Sequence, residues 1–411
     1  MVRDAIPAKG SCVVPLSGKL RRTSLKEALS VHVGPDRVPG LVALVDHGGK
    51  TEVEVLGSMS YGGPQIGRDS IFRISSMGKP VTAAAAMILV DEGKMELSEP
   101  VDRLLPELSD RRVLRSMSSR LEDTVPAKRP ITVIDLLTFT MGMGIVFAPP
   151  GAYPVQRAME DLRLAQGIPT PQVPPAPDEW IRRLGTLPLL CQPGEQWMYN
   201  TGADVLGVVV RRASGKPFEQ FLDERLFRPL GMKDTAFSVP LSKMGRFVDS
   251  YWTNPATGKT ELFDAARTGQ WSSPPAFPSG AAGLVSTADD FHAFATMLME
   301  KGEHGGKRIL SEESVKAMTK DQLTPEQKAR SGFVPGFFGR FGWGFCMSVI
   351  AGKDPLKSVG TYGWDGGLGT PWFNDPARGL IAILMTQRAQ ESPAPPPVYL
   401  DFWKAAYSNL E

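Results

Sequence analysis

The sequence predicts an α/β (α+β) fold: a mainly antiparallel sheet built from both ends of the chain, flanked by N- and C-terminal helices, with a large helical domain inserted between. Three observations carry that prediction. Strand patterns stand near the start of the chain and again in its last eighty or so residues. Helical pieces broken by Pro and Gly fill the middle. Each end also carries a helix of its own. On this pattern residues 23–75 and 280–411 form the sheet domain and residues 76–279 the helical one.

Each element has a local reason. Ser24 and Glu27 have the spacing of a capping box, so a short helix follows, to about Val33. "LVALVDHGGKTEVEVLG" reads as two strands around a His47-Gly48-Gly49-Lys50 turn. In "FRISSMGKPVTAAAAMILVDEGK" the run after Lys79 is apolar on all sides, as a buried helix is, and stops at Gly93. Pro80 is tolerated only in a first turn, which puts the helix start near Ser76. Residues 148–180 carry Pro149, Pro150, Pro154, Pro169, Pro171, Pro174, Pro175 and Pro177, which exclude a long regular element. The same stretch is too apolar for a plain linker; a lid or wall over a cleft and a surface excursion fit it equally well. Near the other end, "FGWGFCMSVI" reads as a strand, and "TPWFNDPARGLIAILMTQR" as a hairpin turning at residues 375–379. In the terminal helix Tyr399, Phe402, Trp403 and Ala406 fall on one face.

The bulk numbers narrow the function classes. A chain of 411 residues with 42% hydrophobic and 22% charged residues is a globular protein with a large core. Its net charge of +2 comes from interspersed acids and bases, which excludes a nucleic-acid surface and a polybasic membrane patch. Cys12, Cys191 and Cys346 are scattered, as are the four histidines, so neither a disulfide framework nor a metal site is expected. No phosphate-binding Gly-x-x-x-x-Gly-Lys-[ST] and no Gly-x-Gly-x-x-Gly after a strand is present, so no cofactor is expected. The apolar stretches of "MVRDAIPAKGSCVVPLSGKLRR" are too short for a signal-peptide core or a membrane span, and a cytoplasmic protein is expected.

Three segments can carry chemistry. Ser76 and Lys79 stand three residues apart, so on a helix their side chains share a face. A serine hydroxyl becomes a nucleophile when a base takes its proton, and a lysine serves as that base when burial or positive potential depresses its pKa. The N-terminus of a buried helix supplies both. The plain alternative is a helix cap. Tyr199 lies just before the helical pattern that ends at Gly215; it is either a core tyrosine or a proton relay beside a cation such as Lys79. Asp204, five residues on, reads as a charge on the helix surface. In "TYGWDGGLGTPWF" four glycines (363, 366, 367 and 369) interrupt a strand, as a hairpin turn or as backbone that approaches a ligand and offers half of an oxyanion hole. The nucleophile elbow of a Ser-His-Asp hydrolase is absent, since no Gly-x-Ser occurs.

The ordered set Ser-x-x-Lys, Tyr, glycine-rich strand resembles the serine β-lactamase and penicillin-binding-protein superfamily, in its class C-like branch and closest to the family VIII carboxylesterases. The flanks "DEGKMELSEPVDRLLPEL", "ITVIDLLTFTMGM", "ASGKPFEQFLDERLFRPLGMKDT" and "GAAGLVSTADDFHAFATMLMEKG" resemble the same family, over roughly residues 25 to 407. The resemblance implies the β-lactamase/transpeptidase-like fold, with the active site between the two domains. It assigns the nucleophile to Ser76, its lysine to Lys79 and the motif tyrosine to Tyr199. The lactamase Lys-Thr-Gly strand falls on Trp364-Asp365-Gly366, in substrate contact, and the oxyanion donors become the N–H groups of Ser76 and Gly367. Two departures matter. Trp364 replaces the lysine that grips a substrate carboxylate, and Thr201 replaces the amide of Tyr-x-Asn. A small neutral ester of short to medium acyl chain is therefore the expected substrate, cleaved through a Ser76 acyl-enzyme. The alternatives are a weak β-lactamase or D-amino-acid peptidase, an acyltransferase to an alcohol, and a non-catalytic binding protein. The sequence leaves open the oligomeric state and which of Lys79 and Tyr199 is the immediate base.

Overall fold

A computed structural model describes residues 23–164, 167–331, 334–392, 394–408 and 410. Cys12 and the N-terminal stretch behind the cytoplasmic expectation lie outside these residues. The chain builds a seven-stranded sheet. Strands β1 (Gly40–His47) and β2 (Lys50–Gly57) form the first hairpin, with Gly48 and Gly49 both at positive φ in its turn. Strands β3 (Phe341–Trp343), β4 (Ser348–Ile350), β5 (Tyr362–Gly366), β6 (Thr370–Asp375) and β7 (Leu380–Thr386) follow after nearly three hundred residues. Their order is β3-β4-β5-β6-β7-β1-β2, antiparallel at every junction. The two ends of the chain meet where β1 pairs with β7, Leu44 opposite Ile383.

Both faces of this sheet are covered, and the strand residues sort by parity. Val42 and Leu44 of β1, with Ile381, Ile383 and Met385 of β7, join the larger core under the central helices. Leu41, Ala43 and Val45, with Leu380, Ala382 and Leu384, join a second core under the terminal helices Leu25–Ser30 and Pro397–Ser408. The first of these helices carries the capping box of Ser24 and Glu27, and ends at Ser30 rather than near Val33. On the second, Tyr399, Phe402, Trp403 and Ala406 are all buried, and Trp403 meets Phe373 of β6 edge to face at 5.4 Å.

Two local expectations need correction, and one is refined. The α-helix runs Lys79–Asp91, and one tight 3₁₀ turn, Ser75–Gly78, precedes it, so Ser76 stands on that turn and not on the helix proper. "FGWGFCMSVI" is two strands, β3 and β4, because Cys346 at φ 58° turns the chain back between them. The proline-rich segment forms two short helices, Pro154–Asp161 and Pro177–Gly185; each places a proline in its first turn, where the missing N–H has no helical partner to lose. The segment is tied down: Gln172 donates through its side chain to the carbonyls of Gln270 (2.8 Å) and Ser273 (3.0 Å). No helix among the described residues is long and apolar enough to cross a membrane.

Candidate active site

The Lys79–Asp91 helix is buried from Lys79 to Leu89 and packs against the helix Thr201–Ser214. Ahead of it, Ser75 has φ 48°, a left-handed conformation that costs a non-glycine residue about 1–2 kcal/mol. The turn that follows holds Ser76 half-buried. Strand β5 presses on this turn from the sheet. A Cβ on Gly366 would lie 2.2 Å from the Ile74 carbonyl oxygen, so only glycine permits the approach. Thr370 Oγ1 donates to the same carbonyl at 3.0 Å. Gly367, at the tip of the β5–β6 hairpin, is exposed, with nothing within 4 Å of a side-chain position. The glycine-rich stretch is thus both a hairpin turn and a close backbone approach to the nucleophile turn.

Lys79 is fully buried. Its Nζ lies 2.7 Å from Ser76 Oγ and donates to the Ala281 carbonyl at 2.8 Å. Burial pushes its ammonium down to about 7, against the pull of the Asp204 carboxylate. Tyr199 comes in from the turn before Thr201–Ser214. Asn200 behind it is at φ 90°, and the turn is pinned by Ile145 N–H to the Tyr199 carbonyl and Met198 N–H to Phe139, each 2.8 Å. The ring centre lies 4.6 Å from Lys79 Nζ. Burial pushes the phenol up from its usual range, opposed by hydrogen bonds with Ser76 and Trp364. Ser75, Phe139, Asn200 and Cys346, all left-handed, stand beside or against these three side chains. Strain concentrated in this way is a mark of a functional centre.

Trp364 occupies a different place from the substrate wall the sequence suggests. It is 9% exposed, and its indole Nε1 donates to the Tyr199 hydroxyl at 2.8 Å. It packs edge to face on Trp343 at 4.8 Å. Phe139, Phe147, Trp197 and Trp343 close the cage around Tyr199, with centroids 5.6 to 6.5 Å from its ring. Asp365 does not enter the site. As the next residue on β5 it turns to the other face of the sheet, toward Lys357 and Tyr399, where burial raises its carboxyl to about 6. A role for its side chain in substrate contact therefore lapses.

Two features escaped the sequence reading. One is the bond from Trp364 to Tyr199. The other is Asp204, which is not a surface charge: it is 4% exposed and accepts hydrogen bonds from Ser279 Oγ (2.6 Å) and Ala281 N–H (3.1 Å). A signal for Asp204 was available. Every residue from Thr201 to Val210 is buried, a stretch whose apolar pattern leaves the acid no solvent face. No group of His, Cys, Asp and Glu among the described residues has the arrangement of a metal site.

A buried lysine touching a serine on the turn before a largely buried helix, with a tyrosine against both and a glycine-rich strand beside them, on an antiparallel sheet, defines the class of serine β-lactamase-like hydrolases. The chain belongs to the Beta-lactamase family, whose model matches residues 26–400. It is 40% identical to Protein Rv1367c of Mycobacterium tuberculosis over 332 residues, 79% of each chain. It is 31% identical to Esterase EstB of Burkholderia gladioli over 383 residues, 88% of each chain. In fold it matches EstCE1, described as a hydrolase with promiscuous acyltransferase activity, with TM-score 0.74 at 23% identity, over 93% of this chain and 97% of that one.

Proposed function

We propose that the protein is a serine carboxylesterase acting on neutral esters through a Ser76 acyl-enzyme. The observation that carries the reading is the indole of Trp364 against Tyr199. The position that offers a cation to a substrate carboxylate in lactamases here offers one neutral N–H, and that N–H is taken by the tyrosine. A substrate with an anionic carboxylate finds no partner there, and a neutral ester needs none. The similarity to Esterase EstB supports the same substrate class.

The hydrogen bonds favour Lys79 over Tyr199 as the immediate base. Tyr199 accepts a hydrogen bond from Trp364 and also bonds with Ser76, and burial holds it as a neutral phenol, which can return a proton but does not take one. With Lys79 as a free amine, Ser76 O–H donates to Nζ while Nζ keeps its bond to Ala281. Ser76 Oγ attacks the ester carbon and its proton passes to Lys79. The oxyanion sits at the N–H groups of Ser76 and Gly367. The C–O bond to the alcohol breaks, the alkoxide takes a proton from the Lys79–Tyr199 pair, and water repeats the sequence on the acyl-enzyme to release the acid. Side-by-side kcat/KM on p-nitrophenyl butyrate, a chromogenic cephalosporin and a D-amino-acid amide tests the class. Ester turnover that dominates in the wild type and is lost in Ser76→Ala is expected; a cephalosporin preference would overturn it. Transfer to an alcohol in place of water is a second reading, favoured by the similarity to fungal acyltransferases such as monacolin J acid methylbutanoyltransferase of Aspergillus terreus. New ester formed on adding alcohol acceptors tests that reading.

A further inference from the structure

We infer that Asp204 is the positioning residue of this site: it anchors the Ser279–Ala281 segment that holds the Lys79 amine, and it supplies the buried negative charge facing that amine. The inference rests on the reading of Ser76 and Lys79 as nucleophile and base. Four hydrogen bonds clamp the segment between the two central helices. From the Lys79–Asp91 helix, Lys79 donates to the Ala281 carbonyl (2.8 Å) and Thr82 Oγ1 to the Gly280 carbonyl (2.7 Å). On the Thr201–Ser214 helix, Asp204 accepts from Ser279 Oγ (2.6 Å) and from Ala281 N–H (3.1 Å). Ala281 is therefore gripped at its carbonyl by the lysine and at its N–H by the carboxylate. The segment has no slack: a Cβ on Gly280 would fall 2.4 Å from the Ala203 carbonyl oxygen.

The groups facing Lys79 are few. Ser76 meets it from the preceding turn, the Tyr199 ring from before the second helix, Cys346 from the β3–β4 turn, and Asp204 from the second helix. Cys346 is pushed far up by burial and stays a neutral thiol, so among the described residues Asp204 is the carboxylate that acts directly on the amine. Asp365 acts on Tyr199 from across the sheet, and Lys79 does not feel it directly. The carboxylate and the amine titrate as a pair, and loss of one proton from the pair produces the free amine that catalysis needs. Asp204 delays that loss, so it sets the pH at which the enzyme switches on.

The test compares wild type, Asp204→Asn and Ser279→Ala. The readouts are the pH profile of kcat/KM on p-nitrophenyl butyrate and the pH profile of Ser76 labelling by a fluorophosphonate, with folding followed by circular dichroism. Asparagine keeps an oxygen for Ser279 and Ala281 but removes the charge. The acid limb should therefore move to lower pH by about one unit or more, with labelling moving in step. Ser279→Ala leaves the carboxylate in place without its shortest hydrogen bond; its limb should shift the same way by less, which keeps the inference open to refutation even where the Asp204 variant fails to fold. A limb that stays put or moves up in folded variants overturns the inference and leaves the esterase reading standing. A wild-type Ser76 that neither turns over esters nor labels at any pH overturns both. A merely structural role would lower the rate at every pH and leave the limb where it is.

Discussion

Trp364→Phe separates the two candidate bases. The substitution keeps an aromatic ring against Trp343 and Phe337 and deletes the indole N–H that bonds Tyr199. If Tyr199 stays a neutral phenol throughout, the lost bond is worth about 0.5–1.5 kcal/mol, and at most part of that appears in the rate. If the tyrosine carries negative charge in the transition state, the bond is worth about 1.5–3 kcal/mol there. At about 1.4 kcal/mol per tenfold, the first case predicts a fall in kcat/KM of roughly two- to tenfold, and the second roughly 10- to 100-fold. Burial raises the phenol and lowers the lysine, so the smaller loss is expected. Removing part of the indole also opens a small void, for about 1–2 kcal/mol of stability, visible as a lower Tm. The assay is stopped-flow hydrolysis of p-nitrophenyl butyrate, with burst and steady-state phases resolved so that acylation and deacylation are read apart. A folded variant with both phases within twofold of wild type would mean that the bond plays no part in positioning Tyr199, and the assignment of Trp364 would fall. A loss of well over tenfold would instead return Tyr199 as the base.

Four further outcomes follow from the geometry. Because only the free amine of Lys79 accepts the proton, kcat/KM should rise with pH through about 7 and level off above it, being about a hundredfold lower at pH 5 than on the plateau; a flat profile from pH 5 to 8 refutes the lysine as base. Lys79→Ala and Tyr199→Phe should each lower kcat by on the order of 10² to 10⁴, and the double variant by much less than the product, since both act on Ser76; multiplicative losses would show independent roles. Gly366→Ala must push the Ile74 carbonyl away and should cut activity and Tm together, whereas Gly367→Ala meets open space and should fold as wild type; equal Tm values for the two would contradict the packing of β5 on the nucleophile turn. Trp364→Lys brings a cation beside Tyr199, with the Asp365 carboxylate acting on it only from the other face of the sheet, so the ratio of cephalosporin to ester kcat/KM should rise; an unchanged ratio in a folded variant would break the link between this strand and substrate charge.

The elements legible in the sequence are those whose cause is local. A capping box, a Gly-Gly turn, an apolar run behind a proline and a one-sided aromatic helix each act over a few residues, and each element forms where those signals stand. Local signals mark Ser76, Tyr199 and the glycine strand only as a helix start, a turn and a hairpin; their joint role comes from the resemblance of their order to the serine β-lactamase superfamily. What the chain order did not reveal is which side chains meet across it. Trp364 and Tyr199 are 165 residues apart, and Asp204 and Ser279 are 75 apart. Parity on β5 sends Trp364 to the catalytic face and Asp365, its neighbour, to the other. Asp204 looked like a surface charge because a single acid on a helix usually is one. Only the packing of two largely buried helices around one strap of backbone takes away its solvent and leaves it a serine, an amide and a lysine instead.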